Sequence, residues 1–252
     1  MPETALVTGA SSGIGEQFAR QLSARGHVLI LVARRRDRLE KLADELPDAH
    51  VVPCDLATEA DSLAGTVAEL GLEVDLLVNN AGFGTHGRYW ELAADREAEM
   101  VRLNCEAVLT LTGAFLPAMV ERRRGGVIIV ASTAGMQPLP YEATYSASKA
   151  FALTFSEALH AELRGTGVRC LAVNPGPVPT EWQEVAGYDP SMGLPGKISA
   201  EQCVREALAA YDRDARSIIP GRTFRWLMRA GNLGPRPVQL RIMERMYRPP
   251  PD

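Results

Sequence analysis

The stretch "ALVTGASSGIG", residues 5–15, decides the fold, because a short apolar run of strand-forming residues leads directly into a glycine-rich turn. The glycines stand at positions 9, 13 and 15, and a segment with helical periodicity follows. A strand, a tight turn and a helix in this order let backbone N–H groups and the helix N-terminus approach a pyrophosphate closely. The spacing is GxxxGxG rather than GxGxxG, so the turn taken alone is equally compatible with a purely structural tight turn.

Similar apolar runs recur along the chain, separated by segments with helical periodicity. They are "HVLILVA" (27–33), "HVVP" (50–53), "DLLVNN" (75–80), "GVIIVAS" (126–132), "VRCLAVN" (168–174) and "SIIP" (217–220). Several of these runs are apolar on both faces, as are the strands of a parallel sheet that helices cover on each side. The alternation predicts an α/β fold with a doubly wound parallel sheet of about seven strands and helices on both faces.

Glycines and a capping box mark the ends of several predicted helices. Gly26 and Gly165 follow helical segments at positions where a left-handed C-terminal cap requires glycine. The stretch "SAEQ" (199–202) has the pattern of a capping box and predicts the start of a late helix.

Length and composition predict one large globular domain over residues 1–252. With 46% hydrophobic residues, 23% charged residues and a net charge of -4, the chain is too apolar to be disordered. It is also too acidic for a general nucleic-acid binder. We therefore expect a small-molecule partner and no nucleic acid.

The cysteines and the N-terminus indicate the compartment. The cysteines, at positions 54, 105, 170 and 203, form no CxxC pair and have no nearby histidine at zinc-ligand spacing, which predicts neither a disulfide nor a metal site. The N-terminus lacks a basic segment followed by an apolar run, and no uninterrupted apolar stretch reaches about 18 residues. We expect a cytoplasmic protein.

Two segments fall outside the alternation of strands and helices. Residues 175–197 form a long connection rich in proline and glycine, which is typical of a functional lid or a disordered loop. The C-terminal extension, about residues 216–252, has eight arginines against two acids, Glu244 and Asp252, although the whole chain is acidic. Such asymmetry predicts an interaction surface.

The helix predicted within residues 144–163 has an unusual first turn. Phe151, Phe155 and Leu159 repeat every four residues and form an apolar stripe that anchors the helix on a core. Tyr145 and Lys149 share the same spacing, so a phenol and an ammonium lie on one face, one turn apart. Alone, this pair is equally typical of a solvated surface.

Further short motifs complete a pattern with the glycine turn and this pair. In chain order they are Asp55 and Leu56 after the third strand, "NNAG" (79–82) at the end of the fourth, Asn104 in the next helix, Ser132 at the end of the fifth, "YSASK" (145–149) and "NPGPVPT" (174–180) after the sixth. Over about residues 4–215 this ordered set resembles the short-chain dehydrogenase/reductase family, whose glycine motif is TGxxxGIG. The resemblance implies a Rossmann-type fold and hydride transfer between a nicotinamide cofactor and a carbonyl or alcohol.

The resemblance implies a role for each of four catalytic side chains. Tyr145 is expected to protonate the carbonyl oxygen as general acid, and Lys149 to lower the pKa of the phenol. Ser132 is expected to hydrogen-bond the same oxygen, and Asn104 to hold a water that passes protons to Lys149. Taken singly, Ser132 also fits a hydrogen-bonded strand end, and Asn104 fits a helix bend. The reaction requires no metal.

The resemblance also implies which residues bind the dinucleotide. They are Gly9, Ser11, Ser12, Gly13, Ile14 and Gly15 in the glycine turn, Arg34 after the second strand, Asp55 and Leu56, Asn80, Ala81 and Gly82, Tyr145 and Lys149, and Pro175, Gly176, Val178 and Thr180.

The end of the second strand indicates which nicotinamide cofactor binds. Proteins of this type that use NAD have an Asp there, and its carboxylate accepts both ribose hydroxyls and repels a 2′-phosphate. The corresponding residue here is Ala33, and Arg34, Arg35 and Arg36 follow it. A guanidinium binds phosphate through two parallel hydrogen bonds, so Arg34 favours NADP(H), whereas Arg36 fits a solvated helix start.

The substrate is less well defined by the sequence. The loops 83–90 and 136–143, with the 175–197 segment, are expected to surround the nicotinamide. Met136, Leu139, Tyr141 and Trp182 predict an apolar pocket, which suits a hydrophobic ketone or aldehyde. His86 is either a site residue or a bystander.

Two alternatives and the association state stay open. A non-catalytic NADP-binding regulatory protein could have the same fold. Residues 222–248 include Trp226 and Leu227 beside arginines, which fits peripheral membrane contact, a subunit interface or a cap over the pocket. Similar proteins form homodimers or homotetramers through two long helices, here about 95–123 and 145–165, and we expect the same.

Overall fold

The computed structural model describes residues 3–181, 186, 196–231 and 234–249. Its strands are β1 (Thr4–Thr8), β2 (Val28–Ala33), β3 (Ala49–Pro53), β4 (Leu76–Asn79), β5 (Gly126–Val130), β6 (Arg169–Val173) and β7 (Ser217–Ile218). Its helices are α1 (Gly13–Ser23), α2 (Arg36–Asp44), α3 (Leu63–Glu69), α4 (Ala94–Val101), α5 (Ala107–Arg122), α6 (Ala143–Glu162), α7 (Ala200–Asp212), α8 (Arg222–Gly231) and α9 (Arg236–Tyr247). A π-helical turn, Arg102–Glu106, joins α4 to α5, and a 3₁₀ turn, Thr133–Met136, follows β5.

The seven strands form one parallel sheet in the order β3-β2-β1-β4-β5-β6-β7. The chain moves outward from β1 to β3, returns to place β4 beside β1, and then proceeds to the opposite edge. This confirms the predicted doubly wound, Rossmann-type sheet. In such a sheet, ligands bind in the crevice at the carboxyl ends of the strands where the order reverses, here β1 and β4.

Both faces of the central strands are buried, as the continuous apolar runs predict. In β1, Val7 packs in the layer that contains Phe18 of α1, whereas its neighbour Leu6 faces the layer that contains Leu111 of α5. Because side chains alternate across a strand, a run with no polar position requires helices on both faces.

The helix ends agree with the sequence signals, and one strand is shorter than expected. Gly26 and Gly165 take φ of 86° and 80°, in the left-handed region. The Ser199 hydroxyl accepts from the Gln202 N–H at 3.1 Å and caps α7. The strand predicted at 217–220 ends at residue 218, and the proline at position 220 has no N–H with which to extend it.

The continuous helix Ala94–Arg122 is long and apolar enough to cross a membrane by length and composition alone, with a mean hydropathy of 1.4 over its most apolar window. Leu111 and Met119 of α5 are fully buried in the core beneath the sheet. Core helices of globular proteins share this composition, so the helix is weak evidence for a membrane span.

Candidate active site

The glycine turn between β1 and α1 has a backbone shape that favours glycine. Gly9 and Gly13 have φ of 67° and 58°, in the left-handed region. Gly15 lies so close to the turn that a Cβ there would be 2.2 Å from the Gly9 carbonyl oxygen. Ser12 is the N-cap of α1, but its hydroxyl makes no capping bond. The N-terminus of α1 thus has no side-chain cap, as suits a helix that binds a phosphate.

Side chains at the carboxyl ends of β1 and β4 hold this turn in place. The Thr8 hydroxyl donates to the Val78 carbonyl at 3.1 Å and accepts from the N–H groups of Asn80 and Ala81 at 2.9 and 3.0 Å. The Asn80 side-chain amide donates to the Thr8 carbonyl at 2.8 Å. These bonds fix the "NNAG" segment against the glycine turn, at the point where the strand order reverses.

A cavity of about 800 Å³ extends over the carboxyl ends of the strands. All the catalytic and dinucleotide-binding residues expected from the resemblance line it, except Gly15 and Asn104. Arg34 follows β2 and Ser132 follows β5, so the sheet order places them on opposite sides of the reversal point. The cavity therefore has the arrangement of an extended two-part ligand site.

Tyr145 and Ser132 meet inside this cavity. Their hydroxyls are hydrogen-bonded to each other, and Tyr145 is only 7% exposed. Ser132 is the N-cap of the 3₁₀ turn, and its Oγ accepts from the Ala134 N–H at 3.1 Å. That contact orients the hydroxyl, so Ser132 is both a hydrogen-bonded strand end and a partner of the phenol.

Lys149 lies one turn further along α6, in a buried position. Its Nζ donates to the Val130 carbonyl at the end of β5, at 2.9 Å, and lies 6.0 Å from the centroid of the Tyr145 ring. Burial lowers the pKa of the Lys149 ammonium to about 8. A Cβ at Gly82 would lie 3.4 Å from Nζ, so the glycine of "NNAG" leaves space beside the amine.

Asn104 lies in the π-helical turn and is buried against the "NNAG" loop. Its Nδ2 donates to the Phe83 carbonyl at 2.9 Å and to the Ser148 hydroxyl at 3.0 Å, and its Oδ1 accepts from the Phe83 N–H at 3.2 Å. A residue in a π-helical turn distorts the regular helix, so the helix-bend interpretation agrees with these contacts. Its expected role in holding a water for Lys149 stays a prediction.

The pKa of the Tyr145 phenol is raised, whereas the resemblance implied that Lys149 would lower it. Burial raises it above the ordinary value for tyrosine, its hydrogen bond with Ser132 lowers it in part, and the nearby Glu142 carboxylate raises it further. Desolvation sets the direction of this shift, and the lowering expected from Lys149, whose Nζ donates to the Val130 carbonyl, is not part of it. The phenol keeps its proton at neutral pH.

Arg34 lines the cavity next to two carboxylates. Its Nη1 lies 3.4 Å from Glu99 Oε1 and 3.8 Å from Asp55 Oδ2, and its side chain is 58% exposed. Ala33, at the position where an acidic residue would favour NAD, is buried and also lines the cavity. The carboxylates hold the guanidinium at the cavity wall, where solvent still reaches it.

Arg35, which sequence reasoning did not assign to the site, makes closer contacts with the glycine turn. Its Nη2 donates to the hydroxyls of Ser11 and Ser12, each at 2.9 Å, and its Nη1 pairs with Glu181 at 2.9 Å. The feature that separates these arginines is the start of α2 at Arg36, which leaves Arg34 and Arg35 in the loop beside the cavity. The sequence does not fix a helix start closely enough to reveal this.

The two C-terminal helices line the cavity on the side of the catalytic residues. Helix α9 contributes Gln239, Met243 and Tyr247, which are four residues apart and share one face. The Phe224 ring of α8 packs tightly on the "NPGPVPT" segment, where a Cβ at Gly176 would lie 2.4 Å from it. The sequence analysis gave a cap over the pocket as one interpretation of residues 222–248 but assigned none of these individual residues to the site, although their regular spacing was a usable signal.

His86 and Tyr141, which were considered for the site, instead form hydrogen bonds with α9. His86 Nε2 is hydrogen-bonded to the Tyr247 carbonyl at 2.8 Å, and the Tyr141 hydroxyl donates to Glu244 at 3.2 Å. Neither His86 nor Tyr141 lines the cavity. Both side chains therefore hold α9 in place.

The expected apolar pocket is formed by a different set of residues. Leu139 is buried and lines the cavity, Met136 does not, and Trp182 lies outside the described residues. Most of the apolar wall comes from α8 and α9, through Phe224, Leu227, Met228, Ile242, Met243 and Met246. Within the described part of the chain, no three His, Cys, Asp or Glu side chains are grouped to hold a metal.

Comparison with known proteins agrees with this geometry. The family model for short chain dehydrogenase matches residues 3–189. An uncharacterized oxidoreductase of Myxococcus xanthus is 42% identical over 184 residues, which are 71% of this chain and 73% of that protein. The very-long-chain 3-oxoacyl-CoA reductase of Neurospora crassa is 38% identical over 174 residues, covering 65% of this chain and 52% of the reductase. The chain therefore spans about half the length of that fungal relative.

A solved structure extends the likeness to most of the fold. The short-chain dehydrogenase from Sphingobium yanoikuyae in complex with NADPH is 34% identical, with a TM-score of 0.80, and the match covers 92% of this chain and 93% of that one. The ordered motifs, the seven-stranded sheet and these matches lead to one conclusion. The chain belongs to the short-chain dehydrogenase/reductase family of oxidoreductases.

Proposed function

We propose that this chain transfers hydride between NADP(H) and the carbonyl of a hydrophobic ketone or aldehyde, or oxidises the matching alcohol, with Tyr145 as general acid or base. The observation that carries the proposal is the hydrogen-bonded pair of Tyr145 and Ser132, buried beside Lys149 in the cavity that the glycine turn also lines. A regulatory protein that only binds the nucleotide needs the glycine turn but not this pair.

The residues of the cavity fit a nicotinamide dinucleotide. The uncapped N-terminus of α1 and the glycine turn suit a pyrophosphate, and the bare Cα of Gly82 leaves space beside Lys149. When bound, the nicotinamide would supply or accept the hydride. The residues that would hold it are those of the glycine turn, of "NNAG" and of residues 175–180.

Tyr145, Ser132 and Lys149 would carry out the proton transfer to the carbonyl oxygen. Tyr145 donates its phenolic proton to the carbonyl oxygen; the phenol is protonated at neutral pH, although burial makes it a weaker acid than an exposed tyrosine. The Ser132 hydroxyl bonds the same oxygen and positions it against the phenol. The Lys149 ammonium offsets the negative charge that develops on the phenolate, and it is close enough to do so without a direct bond.

The wall formed by α8 and α9 supports an apolar substrate. Met228, Met243 and Met246 have flexible side chains that adapt to irregular apolar shapes. The relative from Neurospora crassa acts, by its name, on very-long-chain 3-oxoacyl-CoA, a ketone on a long apolar chain. We therefore place the substrate among bulky or long-chain ketones rather than small polar ones.

Three arginines in sequence support NADP(H) and offer a matched test. Arg34 and Arg35 line the cavity, whereas Arg36 lies outside it and pairs with Glu40 along α2 at 3.3 Å. A charge-assisted hydrogen bond contributes about 1.5 to 3 kcal/mol, so each of the first two should favour NADPH over NADH by roughly ten- to a hundredfold in kcat/KM. Arg34→Ala and Arg35→Ala should each reduce that preference, and Arg36→Ala should leave it unchanged.

The direct test of the function is an NADPH-consumption screen over ketones graded by chain length and ring size. We expect turnover that rises with apolar bulk. Tight binding of NADPH without turnover on any member of the panel would instead favour the regulatory alternative. Equal loss of preference in all three arginine variants would mean that general surface charge, rather than a 2′-phosphate site, sets cofactor choice.

A further inference from the structure

Helix α9 has three neighbouring stripes of side chains, each with residues three or four apart. The pocket stripe is Gln239, Met243 and Tyr247; the apolar stripe is Val238, Ile242 and Met246; the basic stripe is Arg241, Arg245 and Arg248. At 100° per residue, the apolar stripe lies between the other two. The whole pocket stripe lines the catalytic cavity, Ile242 and Met246 of the apolar stripe lie at its edge, and no residue of the basic stripe lines it.

The apolar stripe is exposed to solvent along the whole helix. Val238, Ile242 and Met246 are 48%, 49% and 46% exposed, and the side chains of Trp226 and Leu227 on α8 are 68% and 52% exposed. An exposed apolar area of this kind, next to charged residues, marks an interaction surface. We call the exposed apolar and basic faces of α8 and α9 the cap surface.

The wall of the cavity reaches the cap surface. Ile242, Met246 and Leu227 are all exposed, and all three also line the cavity. An apolar substrate that reaches the catalytic tyrosine would therefore pass these side chains. A partner that bound the cap surface would therefore lie beside this part of the cavity.

The charge of the cap surface selects the kind of partner. Residues 216–252 have eight arginines and two acids in a chain whose net charge is -4. Arg216, Arg225 and Arg248 are paired with Glu157, Glu206 and Glu244, so the positive charge of the basic stripe rests mainly on the exposed Arg241 and Arg245. A second copy that used the same surface in a two-fold dimer would bring basic stripe against basic stripe. A negatively charged apolar boundary satisfies both stripes at once.

We propose that the cap surface docks on an anionic phospholipid bilayer, with the apolar stripe in the boundary between headgroups and acyl chains and the basic stripe at the headgroups. This places the part of the cavity wall formed by Ile242, Met246 and Leu227 against the bilayer, from which an apolar substrate enters. The lipid contact stands without the proposed function; only the statement about substrate rests on it.

The test is co-sedimentation of the full chain with vesicles of phosphatidylcholine alone and of phosphatidylcholine with phosphatidylglycerol. We expect binding that requires phosphatidylglycerol and weakens as salt is raised. Each arginine near the surface contributes about 1 kcal/mol, so Arg241→Gln should weaken binding about fivefold. Val238→Ser, which removes apolar area outside the cavity, should weaken it by a similar factor.

Two control variants match these changes elsewhere on the surface. Arg205 of α7 has an exposed side chain, at 62%, and Trp90 is 79% exposed. Arg205→Gln and Trp90→Ser should bind vesicles as the unaltered chain does, and thermal melting checks that every variant folds. Turnover of a soluble ketone without vesicles tests the proposed function separately.

Three results would overturn the proposal. The first is equal binding to both kinds of vesicle, or to neither. The second is the same effect from the control variants as from the cap-surface variants. The third is a dimer in sedimentation velocity without lipid that Val238→Ser dissociates, because a second copy would then occupy the cap surface.

Discussion

Replacing Lys149 with methionine separates the charge of this side chain from its bulk. In the folded chain the pKa of Lys149 is about 8, against an ordinary value of 10.5, because the ammonium is buried. Between those two values the unfolded chain binds more protons than the folded one, so this group makes stability rise with pH through that window. Below about pH 8 the buried charge is a constant cost to the folded state.

The size of the effect follows from the gap between the two pKa values. That gap corresponds to about 3 kcal/mol at pH 7, which Lys149→Met would recover. The variant also forfeits the bond from Nζ to the Val130 carbonyl, 2.9 Å long, which costs about 1 to 2 kcal/mol. At pH 7 we therefore expect the variant to be more stable by about 1 to 2 kcal/mol, although it should lose turnover.

The pH dependence of the stability difference separates the effect of the Lys149 charge from that of the lost hydrogen bond. The lost hydrogen bond contributes equally at every pH, so the variant's advantage of about 1 to 2 kcal/mol at pH 7 should fall by roughly 2 to 3 kcal/mol by about pH 10, where the unaltered chain becomes the more stable of the two. Urea unfolding followed by far-ultraviolet circular dichroism, without cofactor, measures this difference. Lys41→Met, at an exposed position of α2, should show no such trend. A difference that stays constant, or grows with pH, would refute the reasoning.

Two further predictions address the cofactor and the packing of the site. Ala33→Asp combined with Arg34→Ala should reverse the preference for NADPH, because the double change removes an attraction to the 2′-phosphate and adds a repulsion. The measurement is kcat/KM with both cofactors at fixed moderate salt. A double variant that still prefers NADPH would mean that Arg34 is only a surface residue. Gly135→Ala should destabilise the fold by about 1 to 3 kcal/mol or more, since its Cβ would lie 2.5 Å from the Lys149 backbone. Gly113→Ala in α5, where a Cβ meets nothing within 4 Å, should instead stabilise it by about 0.5 to 1 kcal/mol, and equal effects in denaturant unfolding would contradict the packing.

The parts of the fold that sequence predicts well are those that local physics determines. Runs such as "VLILVA" (28–33) contain no polar position, so they fit only strands covered on both faces, and β2 lies there. Gly9 and Gly13 stand where the backbone has positive φ, and because glycine is the residue that favours this conformation, its positions in the sequence predict the turn. The order of the short motifs then assigns most cavity residues without knowledge of any contact.

What sequence could not supply depends on contacts between distant segments. Arg35 is distinguished from Arg34 by its bonds to Ser11 and Ser12, which no local pattern reveals. The raised pKa of Tyr145 depends on desolvation by residues far along the chain, including Met243 and Tyr247 of α9. The prediction of one domain over residues 1–252, like the compartment and the oligomeric state, stays a prediction.

The central claim is that the Tyr145 phenol donates the proton in carbonyl reduction, and Tyr145→Phe tests it most directly. The ring still packs in the same place, so the fold and the affinity for NADPH should be unchanged. General acid catalysis contributes about two to four powers of ten, and kcat should fall by that factor. Tyr211→Phe is the matched control, because that phenol is also buried but does not line the cavity. The decisive measurement is kcat of Tyr145→Phe with saturating NADPH on an accepted ketone: a fall of at least about a hundredfold supports the claim, and a value close to that of the unaltered chain contradicts it.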